Sequence, residues 1–371
     1  MRRLLLFSAL FVLAACFPSG ASAAPERYIV VLKDGVADSA AVARDQARRN
    51  GADVGFVYDH ALKGYSAVIP SERLAALRAD SRVDYVVPDG VASAVAQTLP
   101  WGIDRIDADA SSTLAGNGSG DVLNVNAYVI DSGIATHPDL NLVGHVNFAG
   151  GKNTDCNGHG THVAGTIAAR DNASDVVGVA PGAPLTGVKV LGCSGSGSWA
   201  GVIKGIDWVT KYAIKPAVAN MSLGGGANNA VDDAVKGSAA SGVFYALAAG
   251  NEGANACNFS PARAGSTKGV VTTGATDSAE REASWSNFGT CVDLWAPGVG
   301  ILSTRRGGGT TTMSGTSMAS PHSAGAAALY LSTHNGASPA TVEAALQSDA
   351  KPTGTISKGG TAVRRLYVGG F

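Results

Sequence analysis

From about residue 122 onward, short apolar runs alternate with longer stretches whose apolar positions recur every three or four residues. The runs near 125–131, 186–191, 218–222, 243–248 and 270–275 are mostly apolar without alternation, which predicts strands buried on both faces. The stretches near 160–170, 199–213, 228–241, 317–333 and 339–348 predict helices. Such alternation predicts an α/β fold, a mostly parallel sheet with helices on both faces. Residues 26–92 carry a different pattern. Tyr28 to Lys33 alternates as a strand, and Ser39 to Arg49 is amphipathic and helical. Asp53 to Tyr58, Tyr65 to Ile69 and Val83 to Val87 read as strands, and Ser71 to Ala79 as a helix with Ser71 as its cap. The order βαββαβ predicts a small ferredoxin-like α+β domain ahead of the larger one.

The ends of the chain add to this picture. Residues 1–23 hold Arg2 and Arg3, an apolar run from Leu4 to Ala15, and Ala21-Ser22-Ala23, the layout of a signal peptide. Leu13-Ala14-Ala15-Cys16 also resembles a lipidation motif, which would keep Cys16 as a lipid anchor. The Ala-x-Ala site is better formed and is favoured, so the expected product is secreted and extracellular. No later run of 18 apolar residues exists, so no membrane span is expected. Ser93 to Leu99 is small and polar, which suits a cleavable linker, and the cut is placed near Ala94–Val95. The expected organisation is therefore 1–23 signal peptide, 24–94 first domain and 95–371 second domain. The formal charge of −1 gives no footprint for nucleic acid. One of the five cysteines falls in the signal, and an exported chain with four left predicts disulfides. Four cysteines allow three pairings, and the sequence does not choose among them.

Candidate chemistry centres on Ser314-Gly315-Thr316-Ser317-Met318-Ala319, a Gly-flanked Ser that opens a buried helix. A negative oxygen forming beside Ser317 would meet free backbone N–H groups and the positive end of the helix dipole. Asp131 stands at the carboxyl end of an apolar strand, where open parallel sheets meet their ligands. His159 opens a helix after the Gly-rich turn 157–160. A zinc pair with His162 is disfavoured, because the Glu of a metalloprotease helix is missing and no third ligand is near. A Ser hydroxyl needs a base to remove its proton, and a His base needs a carboxylate to fix its tautomer. Ala248-Ala249-Gly250-Asn251 follows another apolar strand, and the Asn251 amide is a candidate donor to an oxyanion. Two Gly-rich segments, Ser194 to Trp199 and Ser222 to Gly226, look like a cradle for an extended peptide.

The chain order Asp131, His159, Ser317 resembles the subtilisin-like serine proteases, and the resemblance runs from about Pro100 to the C-terminus. PWGIDRID at 100–107, KVLGCSGSGSW at 189–199 and SWSNFGTCVDLWAPG at 284–298 are most similar to the proteinase K and aqualysin branch. The resemblance implies a serine endopeptidase acting through an acyl-enzyme, with Asn251 and the Ser317 N–H as oxyanion donors and no cofactor for catalysis. It implies that Gly195, Ser196 and Gly197 face Ser222, Leu223 and Gly224 across the substrate. Ser222-Leu223-Gly224 and Ala248-Ala249-Gly250 would wall the S1 pocket, uncharged and suited to an apolar or aromatic P1 side chain. It pairs Cys156 with Cys193 and Cys257 with Cys291. It makes Asp293 a carboxylate for structural calcium, although the loop 263–269 is about three residues longer than in proteinase K. Val163 stands where proteinase K has Cys. The first domain resembles the subtilase propeptide, so the expected partners are protein and peptide substrates and the chain's own propeptide as intramolecular inhibitor, in a monomer. Asp104, Asp107 and Asp109 read as a solvated loop, and His60 as a lone surface His. A lipase or esterase is disfavoured by the absence of a Gly-x-Ser-x-Gly elbow at Ser317. A catalytically dead binding module is disfavoured because Asp131, His159, Asn251 and Ser317 are all present.

Overall fold

The computed structural model describes residues 26–89 and 97–371. The signal peptide, Cys16 and the cut near Ala94–Val95 lie outside the described residues. The chain divides into two compact units, Met1–Ala94 and Val95–Phe371.

In the first unit, Asp53–Tyr58, Gly64–Ile69, Glu26–Leu32 and Val83–Pro88 form a four-stranded sheet in that order, with antiparallel neighbours. Tyr28, Val30, Tyr65, Ala67 and Ile69 bury one face of it with Val42 and Ala43 of the helix Ser39–Asn50 and with Leu77. The second helix differs from the expectation. Ser71 does not cap it: Ser71–Arg73 form a 3-10 turn behind Pro70, and the α-helix runs only over Leu74–Arg78. The strand ends at Ile69 and Pro70 fixes φ at −57°, so the chain turns at once and Ser71 falls inside the first turn.

The second unit is built on a nine-stranded sheet. Its order is Lys351–Ile356, Ala362–Arg365, Leu294–Pro297, Val270–Thr276, Phe244–Ala248, Ala217–Met221, Asn126–Asp131, Leu185–Lys189, Leu142–Asn147. All neighbours are parallel except the first pair, an antiparallel hairpin at one edge. The central strands are mostly apolar because both faces are covered. Ala127 and Val129 enter one core, while Tyr128 and Ile130 enter the other. Phe244 and Ala246 alternate with Tyr245 and Leu247 in the same way. The helices His159–Ala168, Thr316–Thr333 and Pro339–Asp349 line the first core, and Trp199–Tyr212 and Asn229–Ala240 the second. No helix among the described residues is long and apolar enough to cross a membrane.

The five expected strands and five expected helices all form, with ends shifted by a residue or two. Four further strands complete the sheet. Leu142–Asn147 was not legible because it is a half-exposed edge strand broken by Gly144 and His145. Leu294–Pro297 has only four residues, and the edge hairpin alternates weakly. Chain order along the sheet reverses beside Asn126–Asp131, and this places the carboxyl end of that strand at a crevice.

Candidate active site

Asp131 is the last residue of its strand and is fully buried. Ile130 and Val129 hold the strand in the two cores, and the carboxylate emerges where the sheet ends. His159 is the first residue of its helix, behind Gly158 at φ 108°. Its Nδ1 lies 2.8 Å from Asp131 Oδ1 and 3.0 Å from Oδ2. The helix start can approach this closely because the next residue has no side chain: a Cβ on Gly160 would stand 2.1 Å from the Gly133 carbonyl oxygen. Burial by itself would lower the His159 pKa. The charge of Asp131 and its hydrogen bond, with Asp155 behind, outweigh burial and raise it above the ordinary 6.5. The imidazole side chain keeps 25% exposure, on the side that faces the cleft.

Asp155 was missed by sequence reading, yet it organises this corner. It is buried, and its carboxylate accepts five hydrogen bonds, from Ser132 Oγ, the N–H groups of Asn157, Gly158 and Thr161, and Thr161 Oγ. Ser132 Oγ in turn accepts the N–H of Gly160 at 2.9 Å. The residue after Asp131 is thus tied to the residue after His159. Lys189, also buried, donates to the carbonyls of Ser132 at 2.7 Å and Leu191 at 2.9 Å. The signal for Asp155 was its place four residues before His159, as a carboxylate at a helix N-terminus.

Ser317 is the second residue of the helix Thr316–Thr333, whose cap position is Gly315, so it is not a capping Ser. Its hydroxyl donates to the Ser222 carbonyl at 3.2 Å, and Ser222 Oγ donates to the Ser317 carbonyl at 2.7 Å. Ser222 is held by Asn220 Nδ2, and Asn220 Oδ1 accepts from Ser320 Oγ on the Ser317 helix. Asn251 Oδ1 accepts both the N–H and the Oγ1–H of Thr316, at 2.9 and 3.0 Å. Gly315 leaves space between two donors. A Cβ there would lie 3.6 Å from the Ser317 nitrogen and 3.8 Å from Asn251 Nδ2.

A cleft of about 390 Å³ brings His159 and Ser317 together with Gly195, Ser196, Gly197 and the segment Ser222, Leu223, Gly224. Trp199, Asn157, Leu191 and Val202 complete its wall. A second cavity of about 100 Å³ is lined by Ala248, Ala249, Gly250 and Asn251, together with Leu223, Gly224 and Ser317. Sequence reading took its walls as uncharged. Glu252 also lines it, with Oε2 held by Asn287 Nδ2 at 2.6 Å.

The structure joins Cys156 to Cys193 and Cys257 to Cys291. Val163 is buried in the core. Asp104 and Asp109 are exposed, Asp107 pairs with Arg365 at 3.4 Å, and His60 is exposed. Among the described residues, no group of three or more His, Cys, Asp or Glu side chains could hold a metal. Asp293 nonetheless suits a cation. Burial pushes its carboxyl up to about 7, and its hydrogen-bond partners are the Thr272 N–H at 2.7 Å and Gln347 Nε2 at 3.4 Å, neither of them charged. A second place was missed. Asp139 is buried, and its carboxylate meets Asn172 Nδ2 at 2.6 Å and the Val176 N–H at 3.3 Å. Beside it, Gln97 reaches the carbonyls of Arg170 and Val176, while Gln97 Oε1 is buried without a partner. Hard oxygen atoms and one orphaned amide oxygen fit calcium.

The parallel sheet, the carboxylate–imidazole pair at its carboxyl end and the hydroxyl in the same cleft supply the groups that a serine-type hydrolase uses. Residues 125–370 match the Subtilase family and residues 27–94 the Peptidase inhibitor I9 family. The chain belongs to the subtilase family. It is 45% identical over 323 residues to an extracellular serine proteinase of Thermus sp. (strain Rt41A), covering 81% of this chain and 74% of that protein. It is 44% identical over 333 residues to alkaline serine exoprotease A of Vibrio alginolyticus, covering 84% of this chain and 59% of the Vibrio protein. A crystal structure of a cold adapted subtilisin-like serine proteinase matches with a TM-score of 0.65 at 46% identity, covering 73% of this chain and 98% of that one.

Proposed function

We propose that the chain is the zymogen of an extracellular, monomeric serine endopeptidase of broad specificity. One observation carries the assignment: His159 Nδ1 rests on Asp131 at 2.8 Å while its ring opens on the cleft that holds Ser317. In this reading Asp131 fixes the tautomer, so that His159 Nε2 is free to take a proton. Ser317 Oγ turns from the Ser222 carbonyl, gives its proton to Nε2 and attacks the substrate carbonyl carbon. The carbonyl oxygen becomes an oxyanion between Asn251 Nδ2 and the Ser317 N–H. Imidazolium then returns the proton to the leaving amine and the peptide bond breaks. A water, deprotonated by His159, hydrolyses the acyl-enzyme.

The substrate would lie extended between Gly195–Gly197 and Ser222–Gly224, pairing backbone to backbone. Its P1 side chain would enter the cavity walled by Leu223, Gly224, Ala248, Ala249 and Gly250, which favours apolar or aromatic groups. The carboxylate of Glu252 at the same wall would admit a long cationic side chain as a lesser substrate. The I9 unit would inhibit the enzyme until Ser317 cuts the linker near Ala94–Val95. Calcium would be structural, held at Asp293 or at Asp139 with Gln97 and the nearby carbonyls. Support comes from the family and from the oxygen-rich surroundings of Asp139.

The test is processing and hydrolysis together. Purified Ser317→Ala should accumulate as a full-length, export-processed precursor, and wild type should hydrolyse casein until a serine-directed reagent blocks it. Normal maturation of pure Ser317→Ala would rule out self-processing, and casein hydrolysis by that variant would rule out Ser317 as nucleophile.

A further inference from the structure

Asn287 is fully buried, and it clasps the segment that carries Asn251. Its Nδ2 donates to the Ala249 carbonyl at 3.0 Å and to Glu252 Oε2 at 2.6 Å. Its Oδ1 accepts the N–H of Glu252 at 3.1 Å and of Ala254 at 2.9 Å. Its own backbone N–H donates to the Gly250 carbonyl at 2.9 Å. Both donors and both acceptor positions of the amide are therefore filled, on residues either side of Asn251. Gly250 records how close the clasp is. It adopts φ 101°, and a Cβ there would stand 2.3 Å from Asn287 Nδ2.

We infer that Asn287 is a positioning residue for Asn251. The inference rests on the reading of Asn251 as oxyanion donor. The segment 249–254 lies between the strand Phe244–Ala248 and the 3-10 turn Ala256–Asn258, and has no helix or ladder of its own to hold it. Thr316 holds the Asn251 side chain at Oδ1, and Asn287 holds the backbone from which that side chain springs. An oxyanion donor has to be in place before the charge forms, so a slack backbone lowers the rate of the chemical step. Asn287 lines neither of the two cavities. It acts only through the segment it grips.

A double-mutant cycle on kcat tests this, with each variant processed by an added protease of another class and counted by active-site titration. Asn287→Ala should lower kcat about tenfold or more in the wild-type background. In the Asn251→Leu background the same change should move kcat by less than about twofold, because the group it positions is gone. An equal factor in both backgrounds, or no loss in wild type, would overturn the inference. Damage to the pocket wall at Ala249 would show in KM and persist in both backgrounds. If Asn287→Ala does not fold, Asn287→Asp keeps the size and the acceptor oxygen and enters the same cycle. Failure of both to fold also overturns the inference, since Asn287 would then be a requirement of the fold. If Asn251→Leu alone leaves kcat unchanged, the oxyanion reading fails first, and the single variant reveals it.

Discussion

Ser222 and Ser317 exchange hydrogen bonds, each hydroxyl donating to the other's carbonyl, at 2.7 Å from Ser222 and 3.2 Å from Ser317. This exchange locks the first turn of the Ser317 helix to the end of the strand Ala217–Met221 and aims the Ser317 hydroxyl at the Ser222 carbonyl. Ser222→Ala keeps the carbonyl that receives Ser317 and deletes the bond that holds the helix start. The expected loss is about 1 kcal/mol of positioning, roughly fivefold in kcat/KM. Kinetics on titrated enzyme would show it, and an unchanged kcat/KM would mean that the Asn220–Ser222 chain does not position Ser317.

If His159 is the general base, the His159–Asp131 pair should set the acid limb of the pH profile. His159 must be neutral to accept a proton, and its pKa is raised above 6.5. Activity should therefore fall as pH drops through a value above 6.5. Asp131→Asn removes the raising partner and leaves burial, which lowers the pKa. The limb should move to lower pH while kcat falls by about 10⁴. A limb that stays in place would show that another group titrates.

Asn251→Leu deletes an N–H at similar bulk. The substrate carbonyl is not yet an oxyanion in the ground state, so KM should hardly change. kcat should fall by about 10²–10³, the scale known for this donor in subtilisin. A turn Asn would behave in the opposite way, with stability lost and kcat kept in the folded fraction.

The two disulfides close loops of 37 and 34 residues. Chain-entropy estimates give each about 3–4 kcal/mol of stability. Removing either by paired Cys→Ser changes should lower the denaturant midpoint accordingly. Cys156–Cys193 also tethers the turn before His159 to the segment before Gly195, so its loss should raise KM as well, and the other should not.

Calcium is tested by chelation. A structural ion stabilises the folded state by mass action, so a chelator should lower Tm more than it lowers activity at mild temperature. If the ion sits at Asp139, the Asp139→Asn enzyme should lose its sensitivity to chelator while Asp293→Asn keeps it, and the reverse pattern would place it at Asp293. An unchanged melting curve in wild type would remove calcium from the account.

The sequence by itself determined the five central strands of the sheet, the five helices around it and the candidate reacting groups. The mostly apolar runs ending at Asp131, Met221 and Ala248 read as strands buried on both faces because they are too short for a helix and end at turn residues. Asp131, His159, Asn251 and Ser317 were legible because each stands where a strand ends or a helix begins, beside glycines that mark the turn. The tertiary structure alone decided what holds those groups in place. Asp155, Lys189, Asn220 and Asn287 are polar residues in turns or within strands, and in sequence they look like any Asp, Lys or Asn there. The bonds that matter span long stretches of chain: 23 residues from Asp155 to Ser132, 57 from Lys189 to Ser132, 38 from Asn287 to Ala249 and 100 from Asn220 to Ser320. Glu252 was overlooked for the same reason: its sequence neighbours wall a pocket, and the bond from Asn287 holds its carboxylate at that wall. Periodicity records which face of an element meets a core. It does not record which buried amide or carboxylate meets which loop, because those bonds depend on a single folded geometry and leave no repeat along the chain.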